Sequence, residues 1–234
     1  MAIVKTEAFV LKSIRYGETS RIVTLFTKDF GKISAIVKGV RNNKSRLCGT
    51  METMNYINII LYYKDNRELH LISNAEYKNS FKNILTDFDR LQCGYKIIDL
   101  INKSVTQNES SGTIFDLLIK IYSGLNNSTR NFYIYVLYFQ IELVKILGLS
   151  PDFSGLLDAK ETFYDDNEFY LNEASLKNLK LISENEIKDL EYLDIRKISL
   201  ERLINSYEKY LSLHTHGLRS YKSTKVFQEL NQFN

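Results

Sequence analysis

The stretch "TSRIVTLFTKDFGKISAIVKGV", Thr19 to Val40, decides the fold. In "TSRIVTLFT" residues alternate with period two: Ile22, Thr24 and Phe26 fall on one face, and Arg21, Val23 and Leu25 on the other. "KDFGK" is a turn signal, with Gly31 free to take positive φ. "KISAIVKGV" supplies the returning strand. Together they predict a β-hairpin.

Working outward, "EAFVLKSI" precedes the hairpin as a first strand, and "YINIILYY" and "LHLISNAEY" follow it, joined by the turn "KDNRE". Five short strands within about 75 residues suit a small closed barrel, for which the OB-fold is the common solution. The character changes near Phe81. "FKNILTDFDRLQCGYKIIDLINKSV" places Ile84, Phe88, Leu91, Tyr95, Ile98 and Ile101 at helical spacing. "TIFDLLIKIYSGL" predicts a second helix. Asn131 to Leu149 predicts a third, ended by Gly148 and Pro151. The region from Asp152 to Leu171 is a poor helix whose "TFYDDNEFYL" resembles a hairpin, and Ser199 to Leu213 is a helix with Ser199 as N-cap. The expected class is α+β: a five-stranded OB-fold barrel over residues 1–80, packed on a helical domain over 81–234 with a small subdomain at about 152–198.

Composition is that of a globular protein, 44% apolar and 25% charged. The most apolar window, Phe132 to Leu149, carries Gln140, Glu142 and Lys145, so it reads as a buried helix and not a membrane span. No signal peptide is visible, and two cysteines, Cys48 and Cys93, make neither a disulfide framework nor a zinc site. A cytoplasmic protein with reduced thiols is expected.

The net charge of +3 hides an asymmetry. Residues 1–80 hold 13 Lys/Arg against 7 Asp/Glu, whereas residues 151–200 hold 6 against 12. Between Asp29 and Glu52 there is no acid at all, yet "KGVRNNKSR", Lys38 to Arg46, carries four cations. A run of this kind is ordinarily just a solvated loop. Here it joins two strands of an expected OB barrel, whose face and loops commonly hold oligonucleotides, and further cations, Lys12, Arg15 and Arg21, come from the first two strands. Phosphate binding needs several cations at backbone spacing. The candidate nucleic-acid-binding residues are therefore Lys38, Arg41, Lys44 and Arg46, with Lys12, Arg15 and Arg21 in support. Tyr16, Tyr56, Tyr62 and Tyr63 are available to stack bases, although strand tyrosines more often fill cores.

Other motifs are weaker. "HTH", His214 to His216, lacks a third metal ligand and sits at a helix end, where the dipole favours histidine. His70, alternating with Leu69 and Leu71, is expected on a solvent face. The acidic "YDDNE" lacks the spacing of a calcium loop. No phosphate-cradling glycine loop, nucleophile elbow or Cys/His pairing appears. Neither cofactor nor metal nor catalytic residue is assigned, and an enzyme ranks behind a nucleic-acid-binding module, for DNA or RNA, and a protein-only adaptor.

These residues resemble a known family. "EAFVLKSIRYGETSRIVTLFTKDFGKISAIVKGVRNNKSR" is similar to the N-terminus of the RecO recombination mediators, through Gly17-Glu18-Thr19-Ser20, Phe26-Thr27 with Gly31, and Lys38-Gly39 with Arg41 and Ser45. "LGLSPDF", Leu147 to Phe153, and "LHTHGLRSYKS", Leu213 to Ser223, resemble later family motifs in the same order. Many RecO proteins carry four cysteines after "SPDFS" that hold zinc; this chain has none there, so a zinc-free subdomain is expected. The resemblance implies a nucleoid-associated bacterial protein without membrane association. It would bind single- and double-stranded DNA, anneal complementary strands and help load RecA onto DNA coated with single-strand-binding protein. The implied partners are RecR, the acidic-hydrophobic C-terminal tail of the single-strand-binding protein and, indirectly, the RecA filament. That tail would dock in an apolar groove of the helical part near a cation, for which Arg130 and Lys145 qualify by position only. Arg219 and Lys222 either extend the DNA patch or pack the tail of the chain.

Overall fold

The computed structural model describes residues 2–41, 45, 47–64, 67–107, 111–151, 162–164 and 169–215. Lys44, Arg46, His216, Arg219 and Lys222 lie outside the described residues. The chain forms two compact units: Met1–Phe81 with Ile98–Phe115, and Lys82–Ile97 with Asp116–Asn234.

The first unit is built on strands β1 (Ala2–Tyr16), β2 (Ser20–Thr27), β3 (Gly31–Val37), β4 (Tyr56–Tyr63) and β5 (Leu69–Asn79). They close a barrel in the order β1-β2-β3-β5-β4, the five-stranded arrangement of an OB-fold. Closure depends on the length of β1. Its first half pairs with β4 from Ala2 to Phe9, and its second half pairs with β2 from Ala8 to Tyr16. A register shift between Val10 and Lys12 bends the strand where it passes between partners. The sequence reading began this strand at Glu7; residues 2–6 join it because β4 offers them a ladder. β3 completes the ring by running parallel to β5 over Ser34–Val37.

The expected alternation holds. Val23 and Leu25 point into the barrel core with Ile33, Ala35, Val37, Ile57, Ile59 and Leu61. Phe26, on the opposite face of β2, joins a second apolar layer in which Phe115 packs on Phe9, Tyr56 and Phe26. Loop residues Val40 and Met51 also belong to the barrel core, so both ends of the basic loop are pinned by burial. His70 is a correction. It is 3% exposed and stacks on Tyr63, with ring centroids 4.5 Å apart, because β5 turns His70 and Ile72 inward instead of Leu69 and Leu71.

The rest of the chain is mainly helical; of the helices that follow, Ile98–Ser104 and Gly112–Phe115 belong to the first unit and the remainder to the second. The single helix expected over 81–105 is two, α1 (Lys82–Thr86) and α2 (Phe88–Ser104). Asp87 separates them: its Oδ1 accepts from the Arg90 N–H at 2.9 Å, an N-cap contact that restarts the helix. Then come α3 (Gly112–Asn127) and α4 (Phe132–Ile146), followed by a two-stranded hairpin of β6 (Thr162–Tyr164) and β7 (Phe169–Leu171), the one anticipated in "TFYDDNEFYL". Helix α5 (Glu173–Ser183), a 3-10 turn (Leu190–Tyr192) and α6 (Lys197–His214) complete it.

Helix α4 is buried on nearly every side, as its composition foretold. Its polar Gln140 is accommodated by donating to the Ile204 carbonyl of α6. Helix α6 starts two residues before Ser199. Arg196 is its N-cap, without a side-chain bond, because burial of Ile195 and Leu200 fixes the entry of the chain. At the other end, where the dipole favours histidine, His214 bonds the Tyr210 carbonyl through Nδ1 and stacks on the Tyr210 ring. No helix among the described residues is long and apolar enough to cross a membrane.

Candidate nucleic-acid interface

The site grows from the turn after β1. Gly17 takes φ +58°, which lets "GETS" reverse the chain within four residues. The reversal pairs Ser13 with Val23, Ile14 with Ile22, Arg15 with Arg21 and Tyr16 with Ser20. Two guanidinium side chains thus leave adjacent strands at the same level and on the same face. That face is the inward one, shared with Val23, but at the strand ends it opens at the barrel mouth.

A second segment is tied down beside it. The Arg41 N–H donates to the Thr19 carbonyl at 3.0 Å, and Arg41 Nη1 donates to the Gly17 carbonyl at 3.1 Å. The loop after β3 is therefore fastened to the β1–β2 turn. Arg15, Arg21 and Arg41 then line one concavity of 200 Å³ together with Val40, Cys48, Gly49, Met51 and Glu52. Its lining is mostly polar and carries three guanidinium groups, with Val40 and Met51 buried beneath. Among the described lining residues Glu52 is the one acid. Its carboxylate grips Arg21 with Oε1 2.8 Å from Nη2 and Oε2 3.2 Å from Nη1, while Arg21 Nη1 also donates to Ser13 Oγ at 3.0 Å.

The other predicted cations distribute as follows. Lys38 is exposed at the start of the loop. Lys12 is exposed on the opposite face of β1, in line with Ile14 and Tyr16, which are 46% and 54% exposed. The structure therefore assembles Arg15, Arg21 and Arg41 and leaves Lys12 outside that group. Of the tyrosines, Tyr56 is buried and stacks on Phe9, and Tyr63 stacks between Phe30 and His70, so both serve packing. Tyr16 presents an open ring. Ser13 and Glu52 escaped the sequence reading. Only the pairing of β1 with β2 and the fold of the loop ahead of β4 bring them to Arg21.

Chemically the arrangement can neutralise a polyanion. Cys93 is fully buried and burial pushes its thiol up, which disqualifies it as a nucleophile. Among the described residues no group of three or more His, Cys, Asp or Glu side chains is placed to hold a metal.

The second unit carries a separate groove of 480 Å³. Ile141, Val144, Leu176, Leu179 and Tyr207 line it with Glu173, and Lys145, Lys177 and Lys180 stand on it, each within 4 Å of a carboxylate: Glu142, Glu173 and Glu184. Arg130, the other candidate by position, is engaged elsewhere: its Nε donates to the Glu191 carbonyl at 3.1 Å and its guanidinium lies over the Tyr192 ring.

Comparison with known proteins covers both units. Residues 1–81 match the family description "Recombination protein O N terminal", and residues 85–223 match "Recombination protein O C terminal". The DNA repair protein RecO of Chloroherpeton thalassium is 25% identical over 254 residues, spanning 97% of this chain and 98% of that protein. RecO of Chlorobium limicola is 38% identical over 149 residues, 64% of this chain and 57% of the relative. RecO of Prosthecochloris aestuarii is 34% identical over 175 residues, 72% of this chain and 66% of the relative.

Proposed function

Since this chain belongs to the RecO family of DNA repair and recombination proteins, we propose that it binds DNA through the mouth of its barrel and anneals complementary strands there. The observation that carries the reading is the facing pair Arg15 and Arg21, joined by Arg41 in one concavity with a single carboxylate. Like charges directly opposite in a β-ladder destabilise the sheet. A sugar-phosphate chain relieves that repulsion and releases its own counterions in doing so.

No covalent step is involved. Cations that neutralise two backbones together reduce their mutual repulsion, so that bases can pair. Contacts of this type position the backbone without reading bases, so sequence preference is low. Lys38, exposed at the start of the loop, would add charge, and Tyr16, on the outer face of β1, would offer a stacking ring outside the concavity.

We assign the groove of the second unit to the C-terminal tail of the single-strand-binding protein. An acidic-hydrophobic peptide suits an apolar floor flanked by Lys145, Lys177 and Lys180. Docking there would recruit the chain to coated DNA, where it, with RecR, would help load RecA. The test is a strand-annealing assay at two salt concentrations, with and without single-strand-binding protein. Annealing that weakens with salt and persists on coated DNA is the expected result. Absence of annealing and of oligonucleotide binding at low salt would refute the reading.

A further inference from the structure

Glu52 is the first acid in the sequence after Asp29, and it lands on the cation that the site needs. Its two oxygens meet the terminal nitrogens of Arg21 in the parallel two-bond geometry by which a guanidinium also takes a phosphate. The carboxylate side chain is 57% exposed, against 21% for Arg21, so the pair sits at the water boundary of the concavity and not in the core. An exposed ion pair contributes little to stability. Its effect is felt instead by whatever approaches Arg21.

Resting on the DNA-binding reading above, we propose that Glu52 is an internal competitor for the phosphate that Arg21 would bind. In the free protein the carboxylate occupies the Arg21 fork and lowers the positive potential at the mouth. A backbone phosphate takes the same positions and displaces it toward solvent, where its exposure lets it rehydrate. The competition limits the grip on any one strand. A site that brings two strands together must also let the product go, and an acid set among three arginines supplies that restraint without removing a cation.

The test uses the full chain and a fluorescent single-stranded oligonucleotide. Glu52→Gln keeps the shape and an acceptor for Arg21 but removes the charge. It is expected to tighten binding roughly two- to tenfold at low salt, with the gain shrinking as salt rises. Glu52→Ala should tighten binding in the same direction, and thermal melts establish that both variants fold. In an Arg21→Ala background the gain from Glu52→Gln should largely disappear. Affinity in Glu52→Gln equal to or below that of the unsubstituted chain would overturn the proposal, as would a gain that persists in full without Arg21. Failure of the unsubstituted chain to bind any oligonucleotide would instead remove the DNA-binding reading, and this inference with it.

Discussion

Arg15 and Arg21 stand directly opposite one another in the β1–β2 ladder, and the carboxylate partner among the described residues, Glu52, reaches Arg21 from a different segment of chain. Side chains at facing positions lie within about 5 Å at their roots. The sheet therefore holds two cations together at its rim, which favours a polyanionic ligand more than it favours the fold.

The first prediction concerns this pair. Arg15→Ala with Arg21→Ala should weaken binding to oligonucleotides of any sequence. The slope of log affinity against log salt should flatten by roughly 1.4, at about 0.7 per single-strand phosphate contact. Melting temperature should stay within a few degrees, because exposed ion pairs contribute about 0–1 kcal/mol. Salt titrations followed by fluorescence anisotropy check this; an unaltered slope in the folded double variant removes these residues from the site.

A second prediction separates the groove from the barrel. Val144 is 1% exposed and Leu179 6% exposed where they line it. Lys145→Glu, at the rim, leaves that floor intact but reverses a charge. It should reduce affinity for an acidic-hydrophobic peptide roughly tenfold, with oligonucleotide binding essentially unchanged. Calorimetry with the peptide, beside anisotropy with DNA, reads both. Equal loss of the two activities would mean that the groove is not an independent peptide site.

The third lies in the packing of the second unit. A Cβ on Gly124 of α3 would fall 2.6 Å from the Tyr135 ring of α4 and 2.9 Å from Ile187. Gly124→Ala should therefore destabilise by about 1–3 kcal/mol through overpacking, despite alanine's better helix propensity. Chemical denaturation would show it as a lower midpoint.

pH provides the fourth. Burial raises the Glu7 carboxyl, but hydrogen bonds from Lys78 and Tyr56 outweigh it and leave the group below its ordinary value. A carboxyl depressed in the fold adds stability that is present above its unfolded value, about 4.3, and is lost as pH falls through and below that value. Glu7→Gln should remove this acid sensitivity, so that its stability and that of the unsubstituted chain converge as the pH drops. Melts between about pH 6 and 3 would test it; parallel curves throughout would rule it out.

Much of the fold is local and so was legible. Alternation in β2 and β3, the turn at Gly31 and the apolar run of α4 each depend on neighbours a few residues apart. Helix α5 was missed although its signals are local: Asn172 caps Ser175 at 2.8 Å, and Leu176, Leu179 and Ile182 recur at helical spacing behind it. His70 shows where local reasoning fails. Both faces of β5 carry apolar residues, so the sequence does not choose between the two parities, and only pairing with β3 and β4 turns Ile72 and His70 inward.

The candidate site divides the same way. Charge asymmetry, the acid-free run after Asp29 and the class of ligand they imply follow from residue order alone, because charge survives any folding of the chain. Which cations act together does not. Residues 15, 21, 41 and 52 meet because β1 bends between two partners, Gly17 reverses it, and burial of Val40 and Met51 anchors the loop. Convergence of distant side chains is a product of barrel closure, which no local pattern encodes.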